Sequence, residues 1–432
     1  MRATPATSTN DEKVGTNPPP APVSQRPRAV ALVGATGSIG TQALQVIAAH
    51  PDRLRVVTLA ASTGWEAVCA AAVRMGADAV ALADAGAARR ARACLSGSGV
   101  QVLEGPDGVD AVAAWPSADV MLAAPTGIAG LRPVVAALRA GKDVALANKE
   151  SLVAGGRLVT GLAARHGGRL LPVDSEHSGL FQCLGGRDGA GAARLWLTAS
   201  GGPFRDWSPE RIRAATPMDA LRHPTWRMGP RVTVDSATLF NKGLEVIEAA
   251  RLFGLPVDAV RVVVHPQSVV HALVEFVDGS FLAQCARPDM RLPIAYALSH
   301  PERWARPEVP VLDPMRLGRL DFEPPDEGRF PCLGLAYAAA AAGGLAPAAL
   351  NAADEVAVRR FLGGEIGFDD IPRVLEDALG HHSDGDDGDL EAVLAADTES
   401  QARAARWRPD RRARGWASAA RPDPRARGEA VH

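Results

Sequence analysis

Two acidic clusters, Asp174-Ser175-Glu176 and Asn241-Lys242-Gly243-Leu244-Glu245, mix carboxylates with phosphate-type ligands, the combination that holds a divalent cation beside an anionic sugar. The apolar run from Arg169 to Val173 predicts a strand leading into the first cluster, and its side-chain period of two would put Asp174 and Glu176 on one face. Asn241 and Glu245 are four apart in a helical pattern, Leu239-Phe240 followed by Leu244, Val246 and Ile247, so they share a helix face. If Asp174, Glu176 and Glu245 converge, they make a hard, oxygen-rich site for one divalent cation, Mg2+ or Mn2+. Alone, either cluster is more simply a capped helix or a solvated turn. Their surroundings give them weight.

The loop Gly34-Ala35-Thr36-Gly37-Ser38-Ile39-Gly40 follows the apolar run Ala29-Val-Ala-Leu-Val33 and opens a helical stretch whose N-terminal amides can bind a pyrophosphate. At the end of the next strand, Ser62-Thr63-Gly64 has no acid to hold a ribose 2′-hydroxyl, which favours NADP over NAD, although no Arg or Lys is there either. Asn148-Lys149-Glu150 follows a later strand, at the carboxyl edge where such sheets take ligands; a plain surface lysine is the alternative. Ser200-Gly201-Gly202 offers a hydroxyl and backbone amides in a turn that suits phosphate, or is a turn and nothing more. His223, Trp226, Met228 and Gly229 lie in a long loop between Pro217 and Pro230 that reads as a substrate lid or as a loop anchored by its tryptophan. Ser236, Asn241 and Lys242 supply neutral donors and a cation able to neutralise a phosphate dianion.

These residues need a frame. Short apolar runs at Ala29–Val33, Leu54–Leu59, Ala79–Leu82, Asp119–Leu122 and Asp143–Leu146 alternate with amphipathic, Ala-rich stretches, which predicts a Rossmann-like doubly wound parallel sheet. From Leu171 the pattern turns to a mixed α+β region with strands at Leu195–Thr198, Val260–Val264 and Ala272–Val277. A hairpin at Asp278-Gly279 leads into Ser280–Gln284, so an antiparallel sheet is expected. Helices at Cys332–Ala342, Ala348–Leu362 and Ile371–Leu379 predict a C-terminal helical bundle. The expected division is a leader at 1–27, a dinucleotide-binding domain at 28–170, a catalytic domain at 171–300, a linker at 301–325, a helical domain at 326–400 and an Arg-rich, disordered tail at 401–432.

At 432 residues the chain has room for several domains. It has no apolar run long enough to span a bilayer and no signal-peptide pattern, so a cytoplasmic protein without a membrane partner is expected. A net charge of −2 gives no nucleic-acid footprint. Five scattered cysteines without a Cys-x-x-Cys pair argue against a disulfide framework or a zinc site.

Taken in order, Gly-x-Thr-Gly-Ser-Ile-Gly from Gly34, Leu-Ala-Asn-Lys-Glu-Ser-Leu from Leu146, Pro-Val-Asp-Ser-Glu-His from Pro172, Ser-Gly-Gly-Pro-Phe-Arg from Ser200, His-Pro-x-Trp-x-Met-Gly from His223, Val-Asp-Ser-Ala-Thr-x-x-Asn-Lys-Gly-Leu-Glu from Val234 and His-Pro-Gln-Ser from His265 resemble the 1-deoxy-D-xylulose 5-phosphate reductoisomerase family. The resemblance covers roughly Arg28 to Leu362. It implies an NADPH- and metal-dependent rearrangement and reduction of that phosphosugar to 2-C-methyl-D-erythritol 4-phosphate, a step of non-mevalonate isoprenoid synthesis, by a homodimer. Carried over motif by motif, it makes Asp174, Glu176 and Glu245 metal ligands and sets Lys149, Ser175 and Glu176 at the substrate oxygens. Ser200, His223, Ser236, Asn241 and Lys242 fall at the phosphate. Thr36, Gly37, Ser38, Ile39, Asn148, Glu150 and Gly229 line the cofactor, with Ser62, Thr63 and Gly64 at its 2′-phosphate end and Trp226 and Met228 on the lid. Ser62-Thr63-Gly64 replaces the family's usual Gly, basic or Gly, then Asn. The loop-like His381–Gly388 and the Arg-rich end that follows predict no last helix. Two rivals are a same-fold enzyme acting on a related phosphosugar or with altered inhibitor tolerance, and a non-catalytic binding protein. Keeping Lys149 and three buried acids without use would be expensive, which argues against the second rival.

Overall fold

The computed structural model describes residues 26–226, 228–305 and 309–409; the expected leader up to residue 25 and the tail beyond residue 409 lie outside the described residues. Seven parallel strands form the first sheet: β1 (Arg28–Val33), β2 (Leu54–Ala61), β3 (Ala79–Leu82), β4 (Gln101–Glu104), β5 (Val120–Ala123), β6 (Asp143–Leu146) and β7 (Leu170–Pro172). Their order is β4-β3-β2-β1-β5-β6-β7, with helices packed on both faces. A strand covered on both sides reads as an unbroken apolar run, and Ala29 to Leu32 are fully buried. Strand order reverses between β1 and β5, which leaves a crevice at their carboxyl ends.

The edge strand β4 escapes the sequence reading because Gln101-Val-Leu-Glu104 is short and partly exposed, with polar ends. Asp119 stands outside β5; its carboxylate instead accepts the Ala29 N–H at 2.8 Å. Because β7 pairs with β6 through Pro172, the boundary expected at residue 170 falls inside the first sheet.

The strand expected to carry Asp174 and Glu176 stops at Pro172. Asp174 is the N-cap of the helix Ser175–Cys183, its Oδ1 accepting the Ser175 N–H at 3.1 Å, and Glu176 lies in the first turn. The two acids therefore face the crevice as a cap and a first-turn side chain, not through strand alternation.

The second sheet comprises β8 (Ala192–Ala199), β9 (Val260–Val264), β10 (Val270–Phe276) and β11 (Phe281–Cys285), in the order β11-β10-β8-β9. The hairpin β10–β11 and the β10–β8 pair are antiparallel as expected, but β8 and β9 run parallel, so the sheet is mixed. A parallel pair demands a long crossover. Here that crossover carries the loop around Trp226 and the helices Pro230–Ala237 and Phe240–Phe253.

Helices Cys332–Ala342, Ala346–Leu362 and Ile371–Leu379 build the C-terminal bundle. A further helix, Leu390–Arg406, overturns the expectation that none follows and moves the start of the tail past residue 401. Its sequence has few large apolar residues, so its pattern is faint. It is nevertheless capped by the Asp389 side chain, buries Val393, Ala396 and Ala404, and is clamped by Arg360, which donates to Ala404 O at 2.8 Å and Trp407 O at 3.0 Å. No helix among the described residues is long and apolar enough to cross a membrane.

Candidate active site in the crevice

The loop after β1 turns tightly because a Cβ at Gly40 would stand 2.2 Å from Gly34 O. It delivers the chain into the helix Ser38–Ala48, whose cap, Gly37, spends no side chain on the first amides. Those amides are thus available to an anion. Gly37, Ser38 and Ile39 line a cleft of about 830 Å³ whose walls also include Lys149, Asp174, Ser175, Glu176 and Glu245. Ser200, His223, Trp226, Met228, Gly229, Ser236, Asn241 and Lys242 line the same cleft. Most residues singled out by sequence, from segments far apart in the chain, meet in this space.

At its floor, two lysines knit three acids together. Lys149 Nζ lies 2.5 Å from Asp174 Oδ2, 3.1 Å from Glu245 Oε1 and 2.9 Å from Asn241 Oδ1. Lys242 Nζ lies 3.0 Å from Glu176 Oε1 and 2.5 Å from Glu245 Oε2. Asn241 Nδ2 donates to Glu245 Oε1 at 2.6 Å, the contact expected for a pair four apart on one helix. Glu176 Oε2 accepts from the Ser175 hydroxyl at 2.5 Å.

Burial by itself would lower the Lys149 ammonium, but the charges of Asp174, Glu245 and Glu248 outweigh it and hold Lys149 well above its usual value. Asp174, pushed up by burial, is drawn down by Lys149 to about 2. Glu245 is raised, because burial and the neighbouring Glu176 carboxylate outweigh both lysines. Such acid crowding favours a further positive charge at Glu245. An oxygen of Asp174, an oxygen of Glu245 and a ring nitrogen of His177 lie within 4.8 Å of one another, a donor set able to take a divalent cation; Glu176 stands outside this group, joined to Glu245 through Lys242. His177 escaped the sequence reading. Its Nε2 already meets Glu245 O at 3.0 Å, and Glu248 Oε2 lies 3.5 Å from it, behind the acids.

On the opposite wall, Gly202 has φ of 68°, and a Cβ there would stand 2.5 Å from Ser236 O, so glycine lets the Ser200 turn close onto the helix carrying Ser236. His223 Nδ1 accepts the backbone N–H groups of Thr225 at 3.2 Å and Trp226 at 2.8 Å. The ring proton of neutral His223 is therefore on Nε2, which donates to Ser200 Oγ at 3.0 Å. Ser200 Oγ also accepts the Gly202 N–H at 3.2 Å, which leaves its own hydrogen to donate into the cleft. Burial pushes His223 down to about 4 and keeps it neutral. Trp226 is half-buried, 6.1 Å ring to ring from His271.

Other expected positions stand elsewhere. Thr36, Ser62 and Thr63 are exposed at the ends of β1 and β2, and Gly64 fits closely under the Thr36 side chain. Asn148 and Glu150 do not line the cleft; they are buried one layer behind it. Asn148 Nδ2 donates to Pro125 O and Gly127 O, both at 3.0 Å, and Glu150 Oε1 accepts the Gly127 N–H at 2.8 Å. Arg231, which the sequence reading passed over, grips Glu150 at 3.1 Å. Its partners are up to 124 positions away in the chain, as with Glu355, and no local pattern reveals them.

The family models for 1-deoxy-D-xylulose 5-phosphate reductoisomerase match residues 30–156 and, for its C-terminal domain, 170–253; a DXP reductoisomerase C-terminal domain model matches residues 285–404. The chain is 48% identical over 396 residues to the 1-deoxy-D-xylulose 5-phosphate reductoisomerase of Thermosynechococcus vestitus, covering 91% of this chain and 95% of that one. It is 48% identical over 390 residues to that of Methylobacillus flagellatus, covering 88% and 97%. Among solved structures, the Zymomonas mobilis reductoisomerase in complex with NADPH superposes with a TM-score of 0.83 at 44% identity, over 88% of this chain and 98% of that one. A DOX-P reductoisomerase bound to NADPH, fosmidomycin and magnesium gives 0.84 at 40% identity, over 87% and 97%. Identity of this extent, over nearly the whole length of its relatives, shows that the chain belongs to the 1-deoxy-D-xylulose 5-phosphate reductoisomerase family.

Proposed function

We propose that this enzyme converts 1-deoxy-D-xylulose 5-phosphate into 2-C-methyl-D-erythritol 4-phosphate, using NADPH and one divalent cation, Mg2+ or Mn2+. The observation that carries this reading is the single cleft that joins the glycine loop to the Asp174, Glu176 and Glu245 cluster and to the Ser200, Ser236 and Lys242 wall. Asp174, Glu176 and Glu245 would hold the cation, and the loop from Thr36 to Ile39 with Gly229 would hold the cofactor. When bound, the cation supplies Lewis-acid polarisation of the substrate ketone and NADPH supplies the hydride.

The chain's own groups do the rest. Lys149, fixed as an ammonium by its acidic neighbours, faces the negative charge that develops on the substrate oxygens as the carbon skeleton breaks and rejoins. Ser200, His223, Ser236, Asn241 and Lys242 would anchor the phosphate, which orients the reacting end. Trp226 and Met228, on the loop over the cleft, would exclude water from the fragments. Asn148 and Glu150 act at one remove, by holding residues 125–127 against the glycine loop. The expected three-domain division, with its first boundary moved past Pro172, assigns these roles to the first two domains.

We further assign a homodimer in the cytoplasm. The edge strand β11 supports the pairing, since Phe281 and Leu282 are 53% and 51% exposed along a flank of the sheet that a second copy would extend. The test of the activity is NADPH oxidation with 1-deoxy-D-xylulose 5-phosphate, with and without Mn2+. Turnover that needs both supports the assignment, and faster turnover of another phosphoketose, or none with either, overturns it.

A further inference from the structure

Arg231 sits in the first turn of the helix Pro230–Ala237, directly after the loop that bears Trp226 and Met228, and its side chain is 19% exposed. Its guanidinium fills a junction of three regions. Nη1 lies 3.1 Å from Glu150 Oε1 and 3.0 Å from Glu355 Oε1, and Nη2 lies 2.9 Å from Asn351 Oδ1 and 3.3 Å from Asp354 Oδ2. Nε stands 3.6 Å from Asp235 Oδ2 on its own helix. Glu150 belongs to the nucleotide-binding region, whereas Asn351, Asp354 and Glu355 belong to the C-terminal helix Ala346–Leu362.

Two of these acids reach onward to the cleft wall. Glu150 Oε1 accepts the Gly127 N–H at 2.8 Å and Glu355 Oε1 the Ile128 N–H at 3.3 Å. Glu150 Oε2 also accepts from Asn148 Nδ2 at 2.8 Å. The segment they hold begins at Ala124 and Thr126, which line the cleft beside Gly37 and Ser38. It presses on the glycine loop so closely that a Cβ at Gly34 would stand 2.4 Å from the Ala124 carbonyl carbon.

We propose that Arg231 is a positioning residue that sets the cofactor-side wall of the cleft, residues 124–128, from the base of the lid, through Glu150 and Glu355. It lies outside the cleft lining and acts only through these carboxylates. A planar fork with five donors can serve Glu150, Glu355, Asn351 and Asp354 together. A lysine would keep the charge and lose the geometry. The inference rests on the NADPH-dependent activity proposed above, and its test reads cofactor binding separately from turnover.

The full-length enzyme and its Arg231→Lys and Glu355→Ala variants are compared by thermal unfolding, by NADPH binding without substrate, and by steady-state kinetics normalised to folded protein. Glu355 is 20% exposed, and its truncation leaves Arg231 its other acids, so this variant keeps the test open if Arg231→Lys does not fold. Arg231→Lys is expected to weaken NADPH binding about tenfold and Glu355→Ala about threefold, with the substrate KM within about twofold of wild type. The double variant should bind NADPH no more weakly than Arg231→Lys, because both changes release the same wall. A merely structural role would lower the unfolding temperature and leave the NADPH Kd of the folded fraction unchanged; that result, in whichever variant folds, overturns the proposal. Failure of the wild type to bind NADPH would instead bring down the functional assignment on which it rests.

Discussion

Lys242 reaches from its own helix to Glu176 on another, Nζ to Oε1 at 3.0 Å. A residue assigned to the phosphate thus also sets the direction of a carboxylate assigned to the cation. Lys242→Ala should raise the substrate KM by at least roughly tenfold and weaken metal binding in the same variant, because Glu176 loses its tether. Steady-state kinetics at several Mn2+ concentrations separates the two effects. A fall in kcat with steady KM and unchanged metal dependence would contradict the shared role.

Glu245 accepts from both lysines and from Asn241 while only 1% of its side chain is exposed. Glu245→Gln keeps the shape and removes the charge. It should reduce cation affinity and turnover together, each by at least roughly tenfold. Calorimetric titration with Mn2+ reads the first, and an unchanged kcat at low Mg2+ would remove Glu245 from the metal site.

Ser62 and Thr63 are exposed at the end of β2, in the segment assigned from sequence to the cofactor's 2′-phosphate, and that segment contains no guanidinium. NADPH should be preferred over NADH modestly, and Thr63→Arg should widen the ratio of kcat/KM values by roughly tenfold. A wild-type ratio near one would reject a 2′-phosphate contact at this turn.

Burial lowers His223, which accepts the Trp226 N–H, and His271, which faces the Trp226 ring, from 6.5 to about 4. Both rings stay neutral when the loop is packed, whereas in an opened or unfolded chain they take up protons near pH 6.5. The contribution of these two rings to the packed loop is therefore fully present above that pH and is lost as pH falls through 6.5 toward about 4. Substrate KM should rise across this window, less so in His223→Gln, which shares the titration of the substrate phosphate. Parallel pH profiles for the two proteins would exclude His223 as a source.

Much of this arrangement is legible in the chain. β1, β3 and β6 announce themselves because the stretches buried on both faces, Ala29–Val33, Ala79–Leu82 and Val144–Leu146, are wholly apolar, with charge only where Arg28 and Asp143 start their strands. Asn241 and Glu245 are recoverable from helical spacing alone. Asp174 and Glu176 come together for a different reason than alternation suggests, since an aspartate ahead of a short helix signals a cap as readily as a strand end. What stayed hidden is non-local: the bridging of Lys149 to Asn241 and Glu245, the His177 and Glu248 pair behind the acids, and the reach of Arg231 to Glu355. Such contacts are decided by how separate elements dock, and no window of sequence contains both partners.

The parallel pairing of β8 with β9 confines the groups assigned to the phosphate, from Ser200 to Lys242, together with Glu245, to a single excursion whose two ends are stapled side by side, Leu197 opposite Val262. The sheet holds those ends at a fixed separation, independent of the loop around Trp226. On the proposed function, closure over the sugar would ask only the loop to flex on a fixed frame, with Glu245 inside that frame and Asp174 and Glu176 anchored outside it, at the start of the helix Ser175–Cys183.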